Sequence, residues 1–245
     1  MAICAMMCGF DTWSEITLFA QEREPWFRRW LSLPGGIPSH DTFNRIFATL
    51  PPASLKSIFQ AWIGDIMGDE KLVGQLAVDG KALRATAKGR GANVVHMVNV
   101  WSTELGMCVG QQKVADKSNE ITAIPELLQL LELKGCLVSI DAMGTQVKIA
   151  DTILKKSGDY LLAVKDNQPS LNTEVKEQFQ AYWDKNESDV SGHGFTEQFD
   201  SEHGRKEHRR CWVLVVDESM PVCQQWKAKT IIAVQAERIE NGKGY

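Results

Sequence analysis

The stretch KLVGQLAVDGKALR (residues 71–84) sets an aspartate directly after an apolar run, then a glycine and two basic residues. Leu76, Ala77 and Val78 read as the end of a buried strand, and Asp-Gly is a turn signal. On pattern alone Asp79 is either a turn residue or a carboxylate carried to a strand end for chemistry. CLVSID (136–141) repeats the design, with Asp141 closing the run before Ala-Met-Gly. The same two readings stand for Asp141, so the choice rests on what lies between and around the two stretches.

Between them, VVHMVNVWS (94–102) and GMCVGQQKV (106–114) read as strands joined by the short link 103–105, which suggests an antiparallel hairpin. Ser118 is placed to cap a helix over NEITAIPELLQLLEL. After CLVSID, a helix is expected through QVKIADTILKKS, a strand in DYLLAVK (159–165), and a helix opened by Pro169. The order from residue 71 is β-β-β-α-β-α-β-α, which gives a mixed sheet. It is the order of a ribonuclease-H-like domain, in which the first and fourth strands lie side by side and parallel. Asp79 and Asp141 then stand at the carboxyl ends of neighbouring strands and meet in space. Paired carboxylates there are hard oxygen ligands for divalent cations, the arrangement that in-line phosphodiester displacement needs.

Upstream, residues 1–70 read as three or four short helices broken at Pro and Gly. Ser39 or Asp41 restarts the third helix and Ser54 is placed to cap the fourth. Two readings stand, a small bundle or a helix-turn-helix, although no basic recognition helix is visible. Downstream, residues 191–245 read as β-rich, with two strands around His203-Gly204 and a third in KTIIAVQAERIE. The expected fold class is α/β: a ribonuclease-H-like mixed sheet preceded by a small helical domain and followed by a β-rich insertion. The expected domains are 1–70 (helical), 71–190 (ribonuclease-H-like) and 191–245 (β-rich, with the catalytic domain left incomplete).

The whole chain is of ordinary globular composition, with 44% apolar and 24% charged residues and a net charge of −4. That charge argues against nucleic acid only weakly, because local clusters decide. Lys81 and Arg84 flank the first aspartate, either facing phosphates or solvating a turn. His203, Arg205, Lys206, Arg209 and Arg210 surround Glu207 in a second basic segment, either a solvated strand or a hairpin laid along a DNA backbone. The 6 cysteines are scattered without Cys-x-x-Cys spacing, the pattern of reduced thiols in a cytoplasmic protein. The apolar opening MAICAMMCGF is too short to span a bilayer, and no membrane partner is expected.

The segments GIPSHDTFNRIF (36–47), LAVDGKALR (76–84), KSNEITAIPELL (117–128), SIDAMGTQ (139–146), GDYLLAVKDNQ (158–168) and HGRKEHR (203–209) together resemble the H-repeat-associated transposases found with Rhs elements. That family is a branch of the DDE insertion-sequence transposases. The resemblance implies Mg²⁺ (or Mn²⁺)-dependent cleavage and joining of DNA at element ends, with Asp79 and Asp141 as metal-holding first and second acids. It implies element-end and target DNA as partners, and the basic residues expected to contact that DNA are Lys81, Arg84, His203, Arg205 and Arg209. It leaves room for a homodimer in the DNA complex and implies a bacterial protein held at the nucleoid when bound to DNA. Family members begin earlier and continue through a further strand and a helix bearing His-Trp…Glu-Asn, so segments are expected to be missing at both ends. The third acid is then expected beyond Tyr245, and Glu207 is its only candidate within the chain. Two other readings stay open: an inactive truncated DNA-binding protein, and a nuclease of RNA hybrids sharing the same metal site.

Overall fold

A computed structural model describes residues 1–67, 71–83, 94–114, 120–185, 194–202, 205–240 and 243–244. The chain divides into two compact units, Met1–Gly68 and Asp69–Tyr245.

Among the described residues the first unit holds five helices: α1 (Ala2–Met7), α2 (Trp13–Glu22), α3 (Glu24–Phe27), α4 (His40–Thr49) and α5 (Pro52–Met67). Thr12 and Glu15 form a reciprocal capping box at the start of α2, and Ser39 caps α4 by accepting from the Thr42 amide. Ala2, Ala5, Ile16 and Phe43 make a small shared core. The expected cap Ser54 instead lies inside α5, which begins at Pro52, a residue suited to a first helical turn.

The second unit opens with β1 (Gly74–Leu83), β2 (Val95–Ser102), β3 (Met107–Lys113), α6 (Glu120–Gln129) and β4 (Cys136–Ile140). A 3-10 turn over Ala142–Gly144, α7 (Val147–Lys155), β5 (Asp159–Leu162) and α8 (Pro169–Lys185) follow. The first sheet has strand order β3-β2-β1-β4-β5. β1 pairs antiparallel with β2 and parallel with β4, and β4 pairs parallel with β5. The sheet is therefore mixed, as the element order requires. Burial alternates along β1, with Leu76 and Val78 buried and Asp79 exposed. The cross-strand partners of those two buried residues, Ser102 and Val100, are buried with them. The helix α6 covers this face, where Ile140 and Ile124 both close on Gly144.

One expectation is corrected. Asp79 does not end β1, and Asp79-Gly80 is not a turn. The strand runs on to Leu83 because β2 keeps pairing with it, down to Leu83 opposite Val95. What ends at Val78 is the partnership with β4. The Asp-Gly turn preference is overridden by a continuous antiparallel partner.

The rest of the unit is β6 (Gly194–Glu202), β7 (Arg205–Val215), α9 (Pro221–Gln225), β8 (Thr230–Glu240) and β9 (Lys243–Gly244). Their strands form a separate antiparallel sheet of order β6-β7-β8-β9. A second core, including Leu171, Phe179, Leu214, Cys223, Trp226 and Ile231, joins α8, α9 and this sheet.

Glu174 ties α8 to α9, accepting from the Val222 amide at 3.0 Å and the Cys223 amide at 2.6 Å. Burial pushes its carboxyl up, but those two amides outweigh it and hold the group below its ordinary 4.5. Its contribution is therefore complete above pH 4.5 and lost as pH falls through the lowered value. Glu174→Ala is expected to cost about 1.5–3 kcal/mol at neutral pH. It should also flatten the acid limb of stability measured by urea unfolding against pH.

Candidate functional site

The register places the two aspartates abreast. Leu76, Ala77 and Val78 face Val138, Ser139 and Ile140 across the parallel pair, and Asp79 and Asp141 each come one residue after the last pair. Neighbouring strands lie about 4.8 Å apart, so the two side chains leave the same face of the sheet side by side. Both residues are exposed, and among the described residues neither has a cationic partner.

The row extends across the sheet. Asn99 on β2 lies opposite Asp79, and Gln111 on β3 lies opposite Asn99. The Gln111 Nε2 donates to Asn99 Oδ1 at 2.8 Å, which ties the two amides together across β2 and β3. Behind this row, Gln75 Nε2 donates to Ser139 Oγ at 2.8 Å and fastens β1 to β4 one step below the acids.

Asp141 is fixed by the turn that follows it. Its Oδ1 accepts from the Gly144 amide at 3.4 Å, so it caps the 3-10 turn while standing at the strand end. The turn reading of Asp141 is thus borne out, and the same residue stands directly after β4. Asn167 Nδ2 donates to the Ala142 carbonyl at 2.5 Å and Gln168 Nε2 to the Thr145 carbonyl at 2.8 Å. The KDNQ segment thus buttresses the turn from below.

Thr145 is fully buried, and its hydroxyl donates to the Ala163 carbonyl at 2.7 Å, with the Asp141 carbonyl a second acceptor at 3.3 Å. Thr145→Val keeps the volume but orphans that carbonyl. It is expected to cost about 1–3 kcal/mol in denaturant unfolding, with the loss centred on the Asp141 turn.

Lys81 is exposed on the same face as Asp79, two positions along the strand. Arg84 and His203 lie outside the described residues, as does the side chain of Arg205. Arg209 lies on β7 between two carboxylates, pairing with Asp200 at 3.0 Å and with Glu207. Glu207 also takes Arg238 at 2.7 Å. Its carboxylate is thus held by two guanidiniums within the second sheet and is not brought to the Asp79–Asp141 row. Arg210 pairs with Glu197 and Glu237, each at 3.3 Å, so the described arginines of this hairpin are matched by acids.

Among the described residues no group of three or more His, Cys, Asp or Glu stands ready to hold a metal ion. The site is a two-carboxylate row. A groove of 880 Å³ opens beside Asp141, lined by Leu137 and Leu161 of the first sheet and by Cys211, Ile232 and Val234 of the second. No described helix is long and apolar enough to cross a membrane.

Sequence reasoning missed Asn99, Gln111, Asn167 and Gln168, whose roles depend on cross-strand register and on a turn carbonyl. Only KDNQ carried a visible signal, a polar run directly after a buried strand.

Two family models match the chain: a DDE_Tnp_1-associated segment over residues 1–63 and a transposase DDE domain over residues 74–228. The "Uncharacterized protein in dhlA 3'region" of Xanthobacter autotrophicus is 36% identical over 99% of this chain and 81% of its own length. The "Putative transposase YncI" of Escherichia coli (strain K12) is 40% identical over 85% of this chain and 83% of its own. The "H repeat-associated putative transposase YhhI" of the same strain is 36% identical over 98% of this chain. That match spans 63% of YhhI. A cryo-EM structure of the piggyBac transposase synaptic complex with hairpin DNA aligns at TM-score 0.35 and 10% identity, over 89% of this chain and 49% of that one.

Proposed function

This chain belongs to the DDE transposase family, and we propose that its first sheet is a ribonuclease-H-like catalytic core that cleaves and joins DNA. The observation that carries the reading is the register that brings Asp79 and Asp141 abreast one residue past the last β1–β4 pair.

The residues fit a hard divalent cation. Among the described residues the two exposed carboxylates have no cationic partner, and Mg²⁺ takes one or two carboxylates, completing its shell with water and substrate phosphate. When bound, Mg²⁺ or Mn²⁺ supplies positive charge to the attacking and leaving oxygens of the phosphodiester. The chain's own part is placement. Asp79 is held by β2 along its strand, and Asp141 by the Gly144 amide and the turn that Asn167 and Gln168 support. Lys81, on the same face, is assigned to the phosphate next to the cut. Arg84, His203, Arg205 and Arg209 are proposed DNA contacts, and Arg209 would have to exchange Asp200 or Glu207 for phosphate. The third acid is not assigned to Glu207, whose charge is already matched by Arg209 and Arg238.

The test is strand cleavage of DNA carrying the ends of the cognate element, with Mg²⁺ or Mn²⁺ against EDTA. Cleavage that needs the cation and the element ends supports the reading. Equal cutting of an RNA–DNA hybrid would assign a different substrate. A second reading, DNA binding without cleavage, is favoured by the row of two carboxylates, which no third acid joins among the described residues. Salt-dependent binding with no cation-dependent product would establish it.

A further inference from the structure

We propose that Glu120, the first residue of α6, is a positioning residue for Asp79 that acts through Gly80. The inference rests on the metal-holding role proposed for Asp79 and Asp141. A Cβ built at Gly80 would lie 2.3 Å from the Glu120 Cδ and Oε2 and 2.4 Å from its Oε1. The Glu120 carboxylate fills the space a side chain at position 80 would take.

Glycine in a paired strand weakens it and often marks a close approach to the backbone. The backbone does not require glycine here, since Gly80 is absent from the positive-φ glycines. The close approach of Glu120 gives one reason for it. It also places the carboxylate within about 8 Å of the Asp79 Cα, since consecutive Cα atoms are about 3.8 Å apart.

The position explains why support is needed. The Gln75 carbonyl accepts from the Thr103 amide, so the odd residues of β1 bond to β2 and the even ones point toward β4. β4 stops pairing at Ile140, one step before Gly80 would need it. The Gly80 amide and carbonyl therefore face a side that β4 has vacated, and Asp79 is held by the sheet along one edge only. Glu120 meets that segment from the α6 side. Among the described residues it has no hydrogen bond or ion pair that would explain its placement otherwise. It approaches the strand from the face opposite Asp79, and among the described residues it joins no group of three acids, so it acts on the backbone rather than as a ligand.

The test uses the full chain, a Mn²⁺ titration and thermal unfolding in EDTA, with Asp79→Asn as the reference for site-dependent binding. Glu120→Ala and Gly80→Ala are each expected to weaken Asp79-dependent Mn²⁺ binding about tenfold or more, the scale of a lost outer-shell support. The double variant should be no weaker than either single one, because both changes remove one contact. Glu120→Gln, which keeps the shape, should stay within about threefold of the parent, and the Tm of Glu120→Ala in EDTA should hold to within about 2 °C.

Parent-like Mn²⁺ affinity in both single variants overturns the positioning role, as do losses that simply add. A fall in Tm matched to the fall in affinity overturns it too, by reducing Glu120 to fold support. Should Gly80→Ala not fold, Glu120→Ala against Glu120→Gln decides alone. If the parent shows no Asp79-dependent Mn²⁺ binding, the metal reading itself fails and the inference falls with it, a result distinct from parent binding that the variants leave unmoved.

Discussion

Asp79→Asn is expected to lower cation-dependent cleavage of element-end DNA by about 10³-fold, with the Tm unchanged. A metal clamp contributes several kcal/mol of charge stabilisation, and each 1.36 kcal/mol is about tenfold in rate. Asparagine keeps the volume and the strand pairing opposite Asn99 but removes the charge and one hard ligand. Asp79 is exposed, and among the described residues no ion pair depends on its charge. Asp141→Asn should match it in activity, because its amide oxygen can still accept from the Gly144 amide and preserve the turn. Single-turnover cleavage on a matched substrate measures both. Cleavage by Asp79→Asn at the parent rate would end the assignment, whatever other variants do.

Leu76→Ala is the substitution expected to cost most in stability, about 2–5 kcal/mol. Leu76 is fully buried at the centre of β1, with Val138 on the parallel side and Ser102 on the antiparallel side, both also fully buried. Removing it opens a hole in the layer between the sheet and α6, where rigid strands on both sides limit collapse. A domain has only about 5–15 kcal/mol in total, so the change should be plain in urea unfolding as a lower midpoint at unchanged slope. A cost below about 1 kcal/mol would mean that α6 closes onto the gap.

The strands were legible in sequence because their inner faces are apolar at period two. LAV before Asp79 and CLVSI before Asp141 announced themselves, and their order implied a mixed sheet. The point at which the partnership between β1 and β4 ends was legible too, but its form was not. Asp-Gly signals a turn locally, and only the continued pairing of β2 keeps β1 straight beyond it. Asn99 and Gln111 could not be found without the register. Glu120 over Gly80 could not be found at all from the sequence, since a helix start and a strand glycine share no local pattern. The helix α9 was missed because five residues cannot show a period. The basic hairpin was recognised as charged, but its acids lie on three strands. Their pairing with Arg209, Arg210 and Arg238 emerges only once β6, β7 and β8 are side by side.

The strand β1 binds a near neighbour on one side and a distant one on the other, and this sets an order of events in folding. β1, β2 and β3 follow one another along the chain and pair antiparallel, whereas β4 reaches β1 only after α6 has crossed over. Closing the longer loop costs more entropy before any contact rewards it, so the antiparallel trio forms early and the parallel seam late. Asp79 and Asp141 sit on opposite banks of that seam. The two carboxylates are therefore kept apart through the early stages of folding, and the row they form is completed only when most of the apolar layer is already in place.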